Sequence, residues 1–276
     1  PGDTLAGMQM GWQKWDEHNF ATPDESYEFP NQVEYFQTIE AFQEVASPLR
    51  CAHMRSPQKK QVSFAHESFI DEAAAATGQD SIAFRLKYLK NPREIEVIEA
   101  VAKAANWETR PSPATDNNDS DNIARGRGVA LFGGYGTYVA TVCEVEVDRT
   151  TGRIWPRRFV VAHDCGLIIN PLGLRGTLEG NVVQGASRAL WEEVLFDQEN
   201  VRSLDWNSYP ILDSMEVPEA IDIVLINRPD EAPGGAGEPA HVAIAAAIGN
   251  AVFDATGFRA RQMPLTPERI KLGLTA

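Results

Sequence analysis

The chain of 276 residues has room for one large or two small cores, and its 43% hydrophobic content is that of a folded protein. Its 39 acidic against 25 basic residues leave a formal charge of −14, which argues against general binding to nucleic-acid backbones. An anionic cofactor stays possible on these grounds, because backbone N–H groups bind phosphates without local cations.

Cys51, Cys143 and Cys165 show no CxxC spacing and are odd in number, so neither a disulfide framework nor an iron–sulfur or zinc site is supported. Buried free thiols are the expectation. No apolar run is long enough to cross a bilayer, and no signal peptide is visible. The chain opens at Pro1 without Met, which leaves its start open and its compartment unread.

In chain order, the stretch to about Glu44 is aromatic and polar, with Trp12, Trp15, Phe20, Tyr27 and Phe29 but weak periodicity. It is expected as an extended segment wrapped over another surface, of this chain or another, ending in a strand near Val33 to Ile39. A helix is expected from Ser63 to the stop at Gly78, and a second is capped by Asp80 or Ser81. Asn91-Pro92 opens a third, with Ile95, Ile98, Val101 and Ala102 on one face, closing at Trp107. Arg110 to Asn122 is rich in Pro, Ser, Asn and Asp and reads as a loop.

Strands follow over Arg127–Phe132 and Thr137–Val147. Asp148-Arg149-Thr150-Thr151-Gly152 then turns the chain back into a partner over Arg153–Ala162. Arg175–Trp191 is expected as a helix despite Gly176, Gly180 and Gly185. Ala220–Asn227 is expected as a strand and Pro267–Leu274 as a terminal helix. No internal repeat appears, and the mixture indicates an α+β fold with helices and sheets in separate blocks. Gly133-Gly134-Tyr135-Gly136 has the look of a phosphate cradle but lacks the strand–loop–helix context, so it reads as loop geometry.

Pro233-Gly234-Gly235-Ala236-Gly237-Glu238-Pro239 is the most informative stretch. Glycines permit close backbone approach, and Pro239 suits the first turn of the apolar helix that follows from His241 to Ile248. Taken locally, Glu238 is first of all a helix-capping acid at the positive end of the dipole. His53, His66 and His163 form no ligand cluster and are expected as hydrogen-bonded structural histidines, with His241 the exception worth testing behind the loop. No metal ligands are assigned.

Several blocks in order resemble the molybdenum-binding subunits of the xanthine dehydrogenase/aldehyde oxidoreductase family, above all the isoquinoline 1-oxidoreductase β-subunit type. They begin with Leu49-Arg50, Met54-Arg55-Ser56, Phe64-Ala65-His66-Glu67-Ser68 and Phe84-Arg85-Leu86. Val145-Glu146-Val147-Asp148, Ile169-Asn170-Pro171, Leu178-Glu179-Gly180, Val183-Gln184-Gly185 and Asp205-Trp206-Asn207-Ser208-Tyr209 follow. Gly235-Ala236-Gly237-Glu238-Pro239, Asn250-Ala251-Val252-Phe253-Asp254 and Met263-Pro264-Leu265-Thr266-Pro267 complete the series. Any one block is weak; their order from about Val33 to Leu274 carries the resemblance.

The resemblance implies an α+β fold, the C-terminal part of a molybdopterin-binding domain with mixed sheets and packed helices. On this reading residues 1–109 hold the wrapping segment and helical region, 110–124 a loop, and 125–276 the α+β region with the glutamate loop. It also implies a molybdopterin cofactor carrying Mo, in the cytosine dinucleotide form, and hydroxylation of an aldehyde or N-heteroaromatic carbon with oxygen from water. Glu238 would be the proton acceptor, with the tight loop and apolar helix partly desolvating its carboxylate. Arg55 would either face the substrate and meet developing negative charge, or be a solvated or phosphate-pairing arginine.

Gly235, Ala236, Gly237, Gln184 and Gly185 would lie at the cofactor, although helix–helix packing explains the glycines of that helix equally well. Thr177 stands where relatives often have Gln. Lys59-Lys60 replace small residues after Arg55 and form either a solvated corner or a contact to an anionic group. The expected partners are another chain or an N-terminal portion completing the cofactor site, a subunit with [2Fe–2S] clusters, and a cytochrome or other electron acceptor. A non-catalytic structural or assembly role in such a complex is the alternative.

Overall fold

The computed structural model describes residues 10–11, 26–33, 54–57, 59–114 and 122–275. The expected strand near Val33–Ile39 lies almost wholly outside these residues, as do Trp12, Trp15, Phe20, Leu49, Arg50, Cys51 and His53. Three helices open the described chain: α1 (Lys59–Ala76), α2 (Ser81–Tyr88) and α3 (Pro92–Ala104). Asp80 caps α2 by accepting from the amides of Ile82 and Ala83. Asn91 caps α3 from the Arg93 amide, with Pro92 in the first turn. α1 begins four residues before the expected Ser63, so the first lysine turn is helical.

The sheet contains β1 (Ile123–Gly134), β2 (Thr137–Asp148), β3 (Ile154–Asp164) and β4 (Ala220–Ile226), in that spatial order. β1, β2 and β3 form an antiparallel meander, and β4 joins β3 in parallel. The parallel return is possible because the long connection from β3 to β4 contains α4 (Pro171–Leu190). α5 (Pro239–Thr256) and α6 (Pro267–Leu274) complete the chain. The fold is therefore mixed α/β, with an antiparallel majority and one parallel pair.

Each face of the sheet carries its own core. On one, Val129, Leu131, Ala140, Val142, Val160 and Ala162 meet α2 and α3. On the other, Ala130, Val139, Cys143, Phe159 and Val161 meet α4 and α5. Cys143 and Cys165 are buried free thiols, as expected. α5 is apolar on all sides and nearly every residue is buried, since β1 and β2, α1 and α4 surround it.

Two glycines set these contacts. A Cβ at Gly128 would run into the backbone of Ala247 and Ala251, so α5 lies directly on the β1 backbone. A Cβ at Gly185 would sit 2.8 Å from the Ile244 side chain, so α4 crosses α5 at that point. Full burial of side chains such as Ile244 and Ile248 contributes about 1.5–3 kcal/mol each.

The aromatic segment reaches this chain's own core where it is described. Tyr27 is buried, the Glu28 amide donates to Tyr88 O, and the Phe29 and Tyr88 rings lie 4.5 Å apart. Gly133 to Gly136 is the β1–β2 hairpin: Tyr135 and Gly136 both adopt positive φ, at 56° and 70°, as a two-residue turn requires.

Candidate active site

The stretch from Gly235 to Glu238 is held carbonyl by carbonyl from three directions. Thr137 Oγ1, at the start of β2, donates to Gly235 O at 2.7 Å. Asn181 Nδ2 of α4 donates to Ala236 O at 3.4 Å, and Arg55 Nε donates to Gly237 O at 2.8 Å. Ser56 Oγ donates to Glu238 O at 3.2 Å, and that same carbonyl accepts the His241 amide. With their carbonyls committed to the protein, the N–H groups of Ala236, Gly237 and Glu238 have no protein acceptor among the described residues. Cβ atoms built at Gly235 and Gly237 would meet open space. The loop thus presents donors and bare backbone to one open side.

Glu238 is half-buried at the N-terminus of α5 with φ −123° and ψ −35°, and its carboxylate makes no capping hydrogen bond. The local expectation of a helix cap is therefore not what the side chain does. Among the described residues the carboxylate has no hydrogen-bond or ion-pair partner. It is a carboxylate kept in place by its backbone alone.

Arg55 is half-buried beside it and bridges the loop to α4, with Nη1 donating to Gln184 Oε1 at 2.7 Å. Its carbonyl is held by Arg188 Nη1 at 2.7 Å. The structure thus brings together Glu238, Arg55, Gln184, Gly235, Ala236 and Gly237. Gly185 turns the other way, into the contact with Ile244, which makes it a helix-packing residue by position. Gly176 and Gly180 are exposed with open space at Cβ, and they share a stripe of α4 with Gln184. The Thr177 hydroxyl is spent within the helix, on Gly173 O at 2.9 Å.

Lys60 corrects the picture of a solvated or ligand-facing corner. It is buried in the first turn of α1, where burial foremost, then the neighbouring Arg188, lowers its ammonium to about 7 against the opposing pull of Glu192. His241 is fully buried, its Nδ1 lies 2.9 Å from Ser56 Oγ, and burial with the charges of Lys60, Arg188 and Arg55 pushes it down to about 3.

His163, expected to be hydrogen-bonded, is fully buried with neither ring nitrogen partnered among the described residues. Burial lowers it to about 4 although Asp164 opposes. A histidine depressed in the fold takes up its proton more readily when unfolded, so its contribution to stability is intact above about 6.5 and falls as pH drops toward 4. His163→Leu is expected to flatten the pH dependence of unfolding free energy in that window, where one histidine contributes at most about 1.4 kcal/mol per pH unit. An unchanged slope would contradict this assignment.

Among the described residues no cluster of His, Cys, Asp and Glu is arranged to hold a metal ion directly. A family profile described as the molybdopterin cofactor-binding domain matches residues 34–218. The chain belongs to that family. The profile match stops before the Glu238 loop, but full-length relatives extend through much more of the chain. A nicotinate dehydrogenase subunit of Pseudomonas putida is 44% identical over 234 residues, covering 82% of this chain and 20% of the relative. The β-subunit of isoquinoline 1-oxidoreductase of Brevundimonas diminuta is 31% identical over 261 residues, covering 93% of this chain and 31% of the relative.

The fold of this molybdopterin-binding family member also matches aldehyde oxidoreductase from Desulfovibrio gigas. The TM-score is 0.71 at 16% identity, over 81% of this chain and 42% of that structure. The chain therefore spans between a fifth and a third of the length of those two sequence relatives. Its relatives are molybdenum-binding subunits of the xanthine dehydrogenase type, as the ordered sequence blocks imply. Ser56, Thr137, Asn181 and Arg188 are site residues that sequence reasoning missed. Each acts through a contact distant in the chain, and only the Ser following Arg55 stands in a block that drew attention.

Proposed function

We propose that this chain supplies the proton-accepting side of a molybdenum hydroxylase that oxidises an aldehyde or an N-heteroaromatic compound. The observation that carries the proposal is the Glu238 carboxylate, half-buried and without a partner among the described residues, on a loop whose carbonyls from Gly235 to Glu238 are held while the amides of Ala236, Gly237 and Glu238 are left free among those residues. A general base needs an uncommitted lone pair on a held segment, and Glu238 has a free carboxylate on a backbone whose carbonyl is held by Ser56 and the His241 amide.

The residues present fit a large anionic cofactor. The free amides of Ala236, Gly237 and Glu238 are donors for its oxygen atoms, and Gly235 and Gly237 allow its close approach. Gln184, with the bare stripe at Gly176 and Gly180, extends that surface along α4. The molybdenum cofactor, when bound, supplies the two-electron acceptor for hydroxylation with oxygen from water. Glu238 accepts the proton released from that water as its oxygen bonds to the substrate carbon.

Arg55 holds the loop with Nε and Gln184 with Nη1, and its remaining N–H groups can meet negative charge developing on the substrate oxygen. Both electrons leave through [2Fe–2S] clusters on a partner chain and then through a cytochrome or other acceptor. The cytosine dinucleotide form of the cofactor is part of the same reading.

The test is the composition and chemistry of the native complex containing this chain. Stoichiometric molybdenum and pterin are expected, with oxygen from isotopically labelled water entering an aldehyde or N-heteroaromatic substrate. A folded, complete complex without molybdenum would overturn the reading in favour of a structural role.

A further inference from the structure

Ser56 is an unusual residue in three respects. It is buried, it adopts φ +58°, which side chains larger than glycine rarely accept, and its hydroxyl lies between two groups of α5. Those groups are Glu238 O at 3.2 Å and His241 Nδ1 at 2.9 Å. A backbone carbonyl can only accept, so the serine proton points to Glu238 O. The hydroxyl oxygen must then accept, which makes His241 the donor through Nδ1–H.

Burial keeps His241 neutral, and among the described residues its Nε2 has no partner. The direction of the chain of hydrogen bonds is thus fixed, from His241 Nδ1–H to Ser56 Oγ–H to Glu238 O. It fastens the peptide of the residue that bears the base to a segment 182 residues earlier. The same segment is gripped from α4, since Arg188 holds the Arg55 carbonyl.

We propose that Ser56 and His241 are positioning residues for the general base: their directed hydrogen bonds hold the Glu238 peptide at the angle from which its carboxylate reaches the substrate. This rests on the reading of Glu238 as the base. The left-handed backbone at Ser56 is what places the hydroxyl between Glu238 O and His241.

The test uses the intact, cofactor-loaded complex. Ser56→Gly removes the hydroxyl while suiting the positive φ, so the fold is not strained by the change. It is expected to lower kcat about ten- to a hundredfold, the scale of a small misplacement of a reacting group. KM within about twofold and unchanged molybdenum content should accompany it, with a modest fall in Tm because the buried His241 Nδ1–H loses its acceptor. His241→Asn keeps a donor near the Nδ1 position and should retain most of kcat, whereas His241→Leu should resemble Ser56→Gly.

A readout independent of turnover is the spectrum of nitrogen-labelled histidine. The wild type should show His241 protonated on Nδ1 with a slowly exchanging proton, and Ser56→Gly should lose that slow exchange. Wild-type kcat and KM in Ser56→Gly, loss of molybdenum in that variant, or a proton on Nε2 would each overturn the proposal. If His241→Leu does not fold, Ser56→Gly and His241→Asn decide. Normal turnover by Glu238→Gln would instead remove the base itself, a failure distinguishable from that of its positioning.

Discussion

Arg85→Met is expected to destabilise the protein by about 3–5 kcal/mol, the scale of stranding a buried charge. Arg85 is completely buried and donates to both Glu67 Oε2, at 3.1 Å from Nε and 3.0 Å from Nη2, and to Val129 O on β1. Glu67 also accepts from Tyr27 Oη at 2.9 Å and from the Leu131 amide at 2.8 Å. Asp71 joins through Ser81 and Arg259, and Arg259 reaches Asn250 of α5. One network therefore ties α1, α2, β1 and α5 together behind the Glu238 loop.

Burial alone would raise the Glu67 carboxyl. Arg85 foremost, then His66 and the Leu131 amide, outweigh it and bring the group down to about 2. A carboxyl depressed in the fold stabilises fully above its unfolded value near 4.5, and this contribution is lost as pH falls toward 2. Without Arg85 the largest lowering influence disappears, and the buried carboxylate is left with His66, the Tyr27 hydroxyl and the Leu131 amide. Unfolding of the intact protein in denaturant at neutral pH measures the cost. Replacing Glu67 by Gln in the same chain should recover part of it, because the stranded charge is then gone. A loss below about 1 kcal/mol for Arg85→Met would show that the network is not held by this pair.

The second large effect is on turnover. Glu238→Gln keeps the size of the side chain and removes its ability to take a proton. Loss of a positioned general base costs about 10²–10⁴-fold in kcat. The fold should not register the change. The carboxylate caps nothing and pairs with nothing among the described residues, so stability should remain within about 0.5 kcal/mol of wild type. Cofactor content should also hold, because in the proposed arrangement the loop would meet the cofactor through amides and glycine backbone that the substitution leaves in place. A drop in turnover with unchanged molybdenum and unchanged Tm is the combined signature. Loss of turnover together with molybdenum would assign Glu238 to cofactor retention instead.

Local chemistry made much of the fold legible. Asp80 and Asn91-Pro92 announced two helix starts, Thr266-Pro267 a third, and Asp148 to Gly152 a hairpin, because each signal is satisfied within a few residues. Asn170-Pro171 carries the same signal for α4, where the Asn170 side chain accepts from the Gly173 amide, but the glycines that follow masked it. Tyr135 at positive φ hid the β1–β2 turn, since glycine or asparagine is the usual sign of that geometry.

The site was legible in its parts and not in its joints. The glutamate loop, Arg55 and Gln184 stood in recognisable blocks, and the structure places them side by side. What holds them could not be read, because Ser56 reaches Glu238 across 182 positions and Asn181 reaches Ala236 across 55. Gly185 and Lys60 show the converse. A glycine can admit a cofactor or a neighbouring helix, and a lysine can face solvent or be buried, and only the contact of Gly185 with Ile244 and the burial of Lys60 in the fold distinguish these.

The central claim is that Glu238 takes the proton in the chemical step. Its most direct test is the single-turnover rate at saturating substrate, compared between wild type and Glu238→Gln in complexes matched for molybdenum content. A single turnover isolates the chemical step from any later electron transfer. A fall of at least about a hundredfold is expected in Glu238→Gln. A rate within about twofold of wild type would contradict it.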